Sequence, residues 1–291
     1  MAADGGRAAG GARPALWRDP RAAAGLAILG LTVAVALLAP VVTTGDPALQ
    51  RDVVATRFLP PGAVDLHGVF HPLGTDRLGR DVWTRLAFGA RVSLGVGVLA
   101  VLLSIALGTA VGAVAGLSRG ALRALLLGVT DFALALPRVV LLLLLAALWE
   151  PSLPLVVLVL GATGWMTVAR LVHGEVRSLA ARPFVESALA LGAGPGRLLV
   201  RHILPNVLTP ITVAAALGVG NAIMLEAGLS FLGLGVQPPA PSWGNMIASG
   251  RDALMNAPWV AAAPGLALVL VVVACTLLGD AIQDRLGQRA L

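Results

Sequence analysis

Residues 93–117 read SLGVGVLAVLLSIALGTAVGAVAGL, an apolar run without a single charged side chain. It exceeds the ~20 residues that a helix needs to cross ~30 Å of hydrocarbon, so the natural solvent of this segment is a bilayer. Within it Ser104, Gly108, Gly112 and Gly116 recur every four positions, and Gly89, Ser93 and Gly97 form a similar row just before. Such a stripe of small residues lets a second helix backbone approach closely. It is evidence of packing and carries no chemistry.

Working outward, comparable apolar runs occupy 22–43, 124–148, 153–171, 206–227 and 259–278, which makes six expected spans and an all-α polytopic membrane protein. Composition agrees, because 57% of the 291 residues are hydrophobic and only 12% are charged, too few to cover a water-soluble globule. All 21 basic residues are arginines scattered between the apolar runs, a pattern that does not make a nucleic-acid surface. Cys275 lies inside an apolar run without an intrachain partner, which excludes disulfides and Cys-rich metal sites.

The first run follows Arg7, Arg13, Arg18 and Arg21, and it is longer than the 7–15 apolar residues typical of a cleaved signal peptide, so a retained signal anchor is expected. Arginines then set the orientation. The short segments 118–123 and 170–205 are basic, whereas 149–152 carries only Glu150, which places both termini on the cytoplasmic side.

Between the first two spans, residues 80–91 carry Val82, Trp83, Leu86, Ala87 and Ala90 on one face and Arg80, Asp81, Thr84, Arg85 and Arg91 on the other. This amphipathic pattern predicts a helix lying in the membrane interface before the chain turns into the second span. The preceding His71-Pro72-Leu73-Gly74-Thr75-Asp76 reads as a turn followed by a cap, with Thr75 or Asp76 accepting an orphan amide. His67 and His71 are four apart near Asp65 and Asp76, but Pro72 opposes a helix that would present both imidazoles to one metal ion, and no metal site is assigned.

The segment between spans four and five is the most informative. Pro183 suits the first turn of a short helix whose apolar face holds Phe184, Ala188 and Leu191, flanked by Val185 and Leu189. Gly192 ends it, Gly194-Pro195-Gly196 cannot continue it, and a second short helix over 197–204 leads to Pro205. A helix–turn–helix outside the lipid with an apolar face has to dock on a soluble protein.

Glu186-Ser187-Ala188, Gly192 and His202-Ile203-Leu204-Pro205 resemble the EAA loop of binding-protein-dependent ABC import permeases, with Ser187 in the place of the middle Ala and His202 where Ile is common. Two further stretches are similar to the C-type permease subunit of dipeptide, oligopeptide and nickel importers. These are 71–76 with Gly79-Arg80-Asp81, and 229–239 (LSFLGLGVQPP) with 241–246 (PSWGNM). The resemblance extends over about 21–284. It implies an ABC type I importer transmembrane fold, with an anchor and extracytoplasmic segment over 1–88, a transmembrane domain over 89–280 whose EAA loop spans 173–205, and a tail over 281–291. It also implies a homologous second permease, two cytoplasmic ATPase subunits and an extracytoplasmic substrate-binding protein as partners, beside the surrounding membrane lipid. ATP would be used by those partners, and no cofactor by this chain. A chain without Lys cannot supply a Walker A lysine.

The resemblance assigns ATPase coupling to Phe184, Glu186, Ser187, Ala188, Leu191, Gly192, His202, Leu204 and Pro205. Asn221 and Glu226 are candidates for the translocation path, and Glu226 is equally a candidate to anchor the glycine-rich 229–237 loop. Asp131 and Arg138, seven apart, share a face of the third span if that span is one helix. The cargo within the family is open among dipeptides, oligopeptides, glutathione, nickel chelates and glycans. A secondary transporter would show inverted repeats of broken helices, and an intramembrane enzyme would show His-Glu-x-x-His, a Gly-x-Ser-Gly nucleophile or paired aspartates; none of these is present.

Overall fold

In hydrocarbon a backbone must satisfy its own polar groups, and a helix does so within one segment. The computed structural model describes residues 19–43, 45–50 and 52–287. Arg7, Arg13, Arg18, Arg51 and Arg289 lie outside them. The apolar runs form helices α1 (Pro20–Val42), α3 (Val82–Leu117), α4 (Gly120–Ala135), α5 (Arg138–Ala147), α6 (Leu153–Ala180), α9 (Leu204–Phe231) and α11 (Trp259–Gly287). Shorter elements are α2 (Val53–Thr56), α7 (Pro183–Ala190), α8 (Pro195–Leu198) and α10 (Trp243–Gly250), with a two-stranded antiparallel ribbon of β1 (Ala63–Val64) and β2 (Phe70–His71). Five of the helical stretches are long and apolar enough to span a membrane, and a sixth if the bent pair α4–α5 counts as one.

That bend corrects the expected continuous third span. Leu136 is extended and Pro137 caps α5, so the two halves meet at 86°. A second correction concerns residues 80–91: α3 runs unbroken from Val82 to Leu117, and no separate interfacial helix precedes it. Of its polar residues Thr84 and Arg85 are buried, only 2% and 3% exposed, because they pack under the segment before the helix, while Arg91 stays exposed. The expected short helix over 197–204 is likewise absorbed. After α8 one π-helical turn, Leu199–Ile203, carries the chain into α9, and Pro205 sits in the first turn of α9, where it interrupts nothing.

The glycine stripe decides how α3 packs. A Cβ at Gly108 would stand 2.5 Å from the Val168 Cβ, one at Gly112 2.5 Å from the Ala169 carbonyl oxygen, and one at Gly116 2.5 Å from a Val176 methyl. Gly108, Gly112 and Gly116 therefore seat α6. The earlier row faces the other way, since a Cβ at Gly97 would meet Ile223 of α9 at 2.6 Å. Around these contacts Val96, Ala100, Leu142, Ala146, Val156 and Leu160 form the core.

α1 lies outside this bundle against α11, tied by the Arg21–Asp284 pair at 2.8 Å. Pro40 has no N–H to offer the Ala36 carbonyl, and the Arg91 guanidinium donates to that carbonyl and to Leu37 instead. The polar face read from 80–91 thus serves, at Arg91, to repair a proline defect in a neighbouring helix.

Candidate functional site

Three places gather the polar and candidate residues. At the ribbon end, Asp76 accepts the Leu78 and Arg80 amides at 2.8 and 3.0 Å and the Arg80 Nε at 2.7 Å, all buried or nearly so. Thr75 takes the Leu59 amide at 2.8 Å. Neither caps α3. That role falls to Asp81, whose carboxylate accepts the Thr84 amide at 2.7 Å and holds His71 Nδ1 at 2.9 Å. Burial opposes ionisation of Asp65, but the Val69 and His67 amides and the His71 ring outweigh it and hold its carboxyl below the usual range. His71 is thus held between Asp65 and Asp81, not beside His67.

Deeper in the bundle Glu226 is fully buried. It accepts hydrogen bonds from Ser93 at 3.1 Å and Ser230 at 2.6 Å, while Ser230 in turn accepts the Val236 amide at 3.0 Å. Ser93 also accepts the amide of Trp243 at 3.2 Å. One carboxylate therefore ties α3, α9 and the glycine-rich loop to α10, which is the anchoring alternative for Glu226. Glu226→Ala would leave the buried hydroxyls of Ser93 and Ser230 without this acceptor, at ~1–3 kcal/mol each. The expected result is a melting temperature lowered by several degrees and faster proteolysis within 232–241, with Glu226→Gln much milder; equal behaviour of Ala and wild type would refute the anchor.

Asn221, by contrast, is exposed and lines an open cavity between α3, α5, α6 and α9. Glu226 is not among its lining residues, and Arg138 is. The expected Asp131–Arg138 face does not form, because the bend separates the two residues and Asp131 pairs with Arg170 of α6.

The third place is the opposite end of the bundle, where α6 continues to Ala180 and hands the chain to α7. Glu186 falls in the first turn of α7, the favourable end for a carboxylate, and Ser187 donates to the Pro183 carbonyl at 3.0 Å. The helix stops in a Schellman turn: the Ala193 amide reaches the Ala188 carbonyl at 3.0 Å, the Gly192 amide reaches Leu189 at 2.9 Å, and Gly192 has φ +82°. Val185 and Ala188 are buried against Val172, Val176, Leu198 and Ile203, which fixes the loop on α6 and the start of α9. The apolar face read from sequence is therefore split, because Phe184 and Leu191 stay outside and Leu191 is 89% exposed.

A groove results, and Phe184, Ser187, Ala188, Leu191 and His202 of the nominated residues line it. Glu186, Gly192, Leu204 and Pro205 shape its surroundings without lining it. Arg197 and Arg201 also line it and were missed, although their four-residue spacing in a helical stretch was a readable signal. An open apolar groove with two arginines on its rim can seat an apolar, acidic protein surface.

Residues 108–291 match the family described as the binding-protein-dependent transport system inner membrane component. A putative peptide transport system permease protein of Brucella suis is 38% identical over 91% of this chain and 86% of its own. A dipeptide transport system permease protein of Alkalihalophilus pseudofirmus is 36% identical over 94% and 88%, and a di/tripeptide transport system permease protein of Pseudomonas aeruginosa 39% over 91% and 87%. Among solved structures, the MetNI methionine ABC transporter in an inward facing conformation shares the fold, with a TM-score of 0.56 at 19% identity over 71% of this chain and 96% of that one.

Proposed function

The chain belongs to the family of binding-protein-dependent transport system inner membrane components, and from that premise we propose that it is the C-type permease subunit of an ATP-driven importer of di- or oligopeptides. It forms half of the translocation path, pairs with a homologous second permease, and receives cargo from an extracytoplasmic binding protein. ATP hydrolysis belongs to two cytoplasmic ATPase subunits. The observation that carries this reading is the groove beside α7, whose exposed Phe184 and Leu191 have no cover among the described residues and sit next to Arg197 and Arg201. An ATPase surface seated there would move the loop as a unit, since Val185 and Ala188 bind it to α6 and α9.

Purification of the tagged chain from its native membrane tests the reading. Two ATPase chains and a second permease are expected to accompany it, and a homo-oligomer alone would overturn it.

The arginine-rich short segments 118–123 and 170–205 support a cytoplasmic position for both termini. In a Cys275→Ala background, Ala240→Cys should label in intact cells with a membrane-impermeant thiol reagent, and Ala121→Cys should label only after lysis. Both positions are exposed in the fold, so an inverted labelling pattern would mean an inverted topology.

A further inference from the structure

The cavity lined by Arg138 and Asn221 has a volume of about 440 Å³, within the ~300–1,000 Å³ of small-molecule sites. Its lining residues come from the middle of each long helix: Ala100 and Ser104 of α3, Gly164 of α6, Gly218 and Asn221 of α9. It therefore lies midway along the helices and opens on one side of the bundle, between the ribbon end and the α7 groove.

Arg138 is the anomaly in it. An arginine at membrane depth costs ~2.5–3.5 kcal/mol even on the lenient insertion scale, and such a residue ordinarily finds a carboxylate or a carbonyl. Here Arg138 Nε is buried without a hydrogen-bond partner, and Arg138 has no ion pair among the described residues. No Asp or Glu lines the cavity, and Asp131, the nearest acid in sequence, is held by Arg170. α5 also begins at Arg138 without a side-chain cap, so its orphan amides add partial positive charge at the same spot.

From the unpaired guanidinium and the cavity it enters, we infer that Arg138 holds the C-terminal carboxylate of a peptide during its passage through the membrane. The planar guanidinium matches a carboxylate with two parallel N–H···O bonds, a fit that a point charge lacks. Asn221 offers both a donor and an acceptor across the same cavity for the peptide's backbone amides. A carboxylate satisfies Arg138 with a charge-assisted pair, whereas an uncharged cargo offers only the weaker acceptor of a carbonyl. This role rests on the peptide reading above, because it needs a cargo with a free carboxylate.

The test uses the complete importer in liposomes, with both permeases, the ATPases and the binding protein. The probes are one short peptide and its C-terminal amide, each supplied at a concentration that saturates the purified binding protein. Arg138→Gln is expected to reduce uptake of the free acid roughly tenfold, the effect of losing one charge-assisted pair, while changing amide uptake by less than about twofold. Arg138→Lys should fall between, keeping the charge but losing the fork. Equal reduction of both probes would overturn the role and point to a carboxylate of the second permease as the partner of Arg138; no change in either would overturn it as well. Should Arg138→Gln fail to assemble, the acid-to-amide ratio of Arg138→Lys decides, and an unchanged ratio contradicts the role. If the wild-type importer takes up neither probe, the peptide reading itself has failed, which the wild-type control reports before any variant is compared.

Discussion

Gly112→Leu is expected to keep the protein from accumulating in the membrane. At this position a Cβ alone would lie 2.5 Å from the Ala169 carbonyl oxygen and 2.8 Å from the Val172 Cβ, both on α6. The first of these is helix backbone and cannot swing aside as a side-chain tip would. Overpacking a well-fitted contact costs ~1–3 kcal/mol, and here the remaining Leu atoms would wedge α3 and α6 apart along the most extensive helix contact among the described residues. Gly95 lies on the same helix with nothing within 4 Å of its Cβ position, so Gly95→Leu serves as the control. Membrane abundance and melting temperature in detergent provide the measurements. A Gly112→Leu protein as abundant and as stable as Gly95→Leu would show that the stripe does not seat α6.

Gly192→Val is expected to leave abundance near normal and to remove most of the uptake. Nothing surrounds the Gly192 Cβ position within 4 Å, so the side chain meets no clash. What opposes it is the backbone: φ is +82°, in the left-handed region that costs an L-residue ~1–2 kcal/mol and a β-branched one more. Relief of that strain opens the Schellman turn and shifts Leu191 and Ala193, both of which line the groove. Co-purifying ATPase should fall with uptake. Glu186→Ala, which touches the helix dipole and not the groove itself, should act in the same direction but more weakly. Wild-type uptake with full ATPase retention in Gly192→Val would separate this loop from coupling.

The spans were readable because their signal is local: twenty or so apolar residues in lipid have few options besides helix. The small-residue stripe was readable for the same reason, and its packing partner was not, since nothing in 93–117 says that Val168, Ala169 and Val176 lie opposite. Residues 80–91 show where local pattern misleads. Their amphipathicity is real, yet Arg85 meets Asp76 and the Pro47 carbonyl, and Arg91, though exposed, meets the end of α1, so the face does not lie free in the interface. The Schellman turn at Gly192 was legible from composition, because Gly followed by Gly-Pro-Gly has one common meaning at a helix end. The split of the α7 face was not, as it depends on α6 overrunning its apolar run by a further nine residues to reach Ala180.

Glu226 marks the same boundary. Its spacing of four from Ser230 could be seen along one helix, whereas Ser93 lies 133 residues away and enters only through the fold. Arg138 was suspect by its depth alone, but its lack of a partner required knowing that the span bends at Pro137 and that Asp131 goes to Arg170.

Reconstitution tests the central claim most directly. The chain is placed in liposomes either alone, under a proton or sodium gradient, or with a second permease, the ATPases, ATP and a peptide-loaded binding protein. Peptide uptake is expected only in the complete mixture and only while ATP is hydrolysed. Gradient-driven uptake by the chain alone would contradict the account.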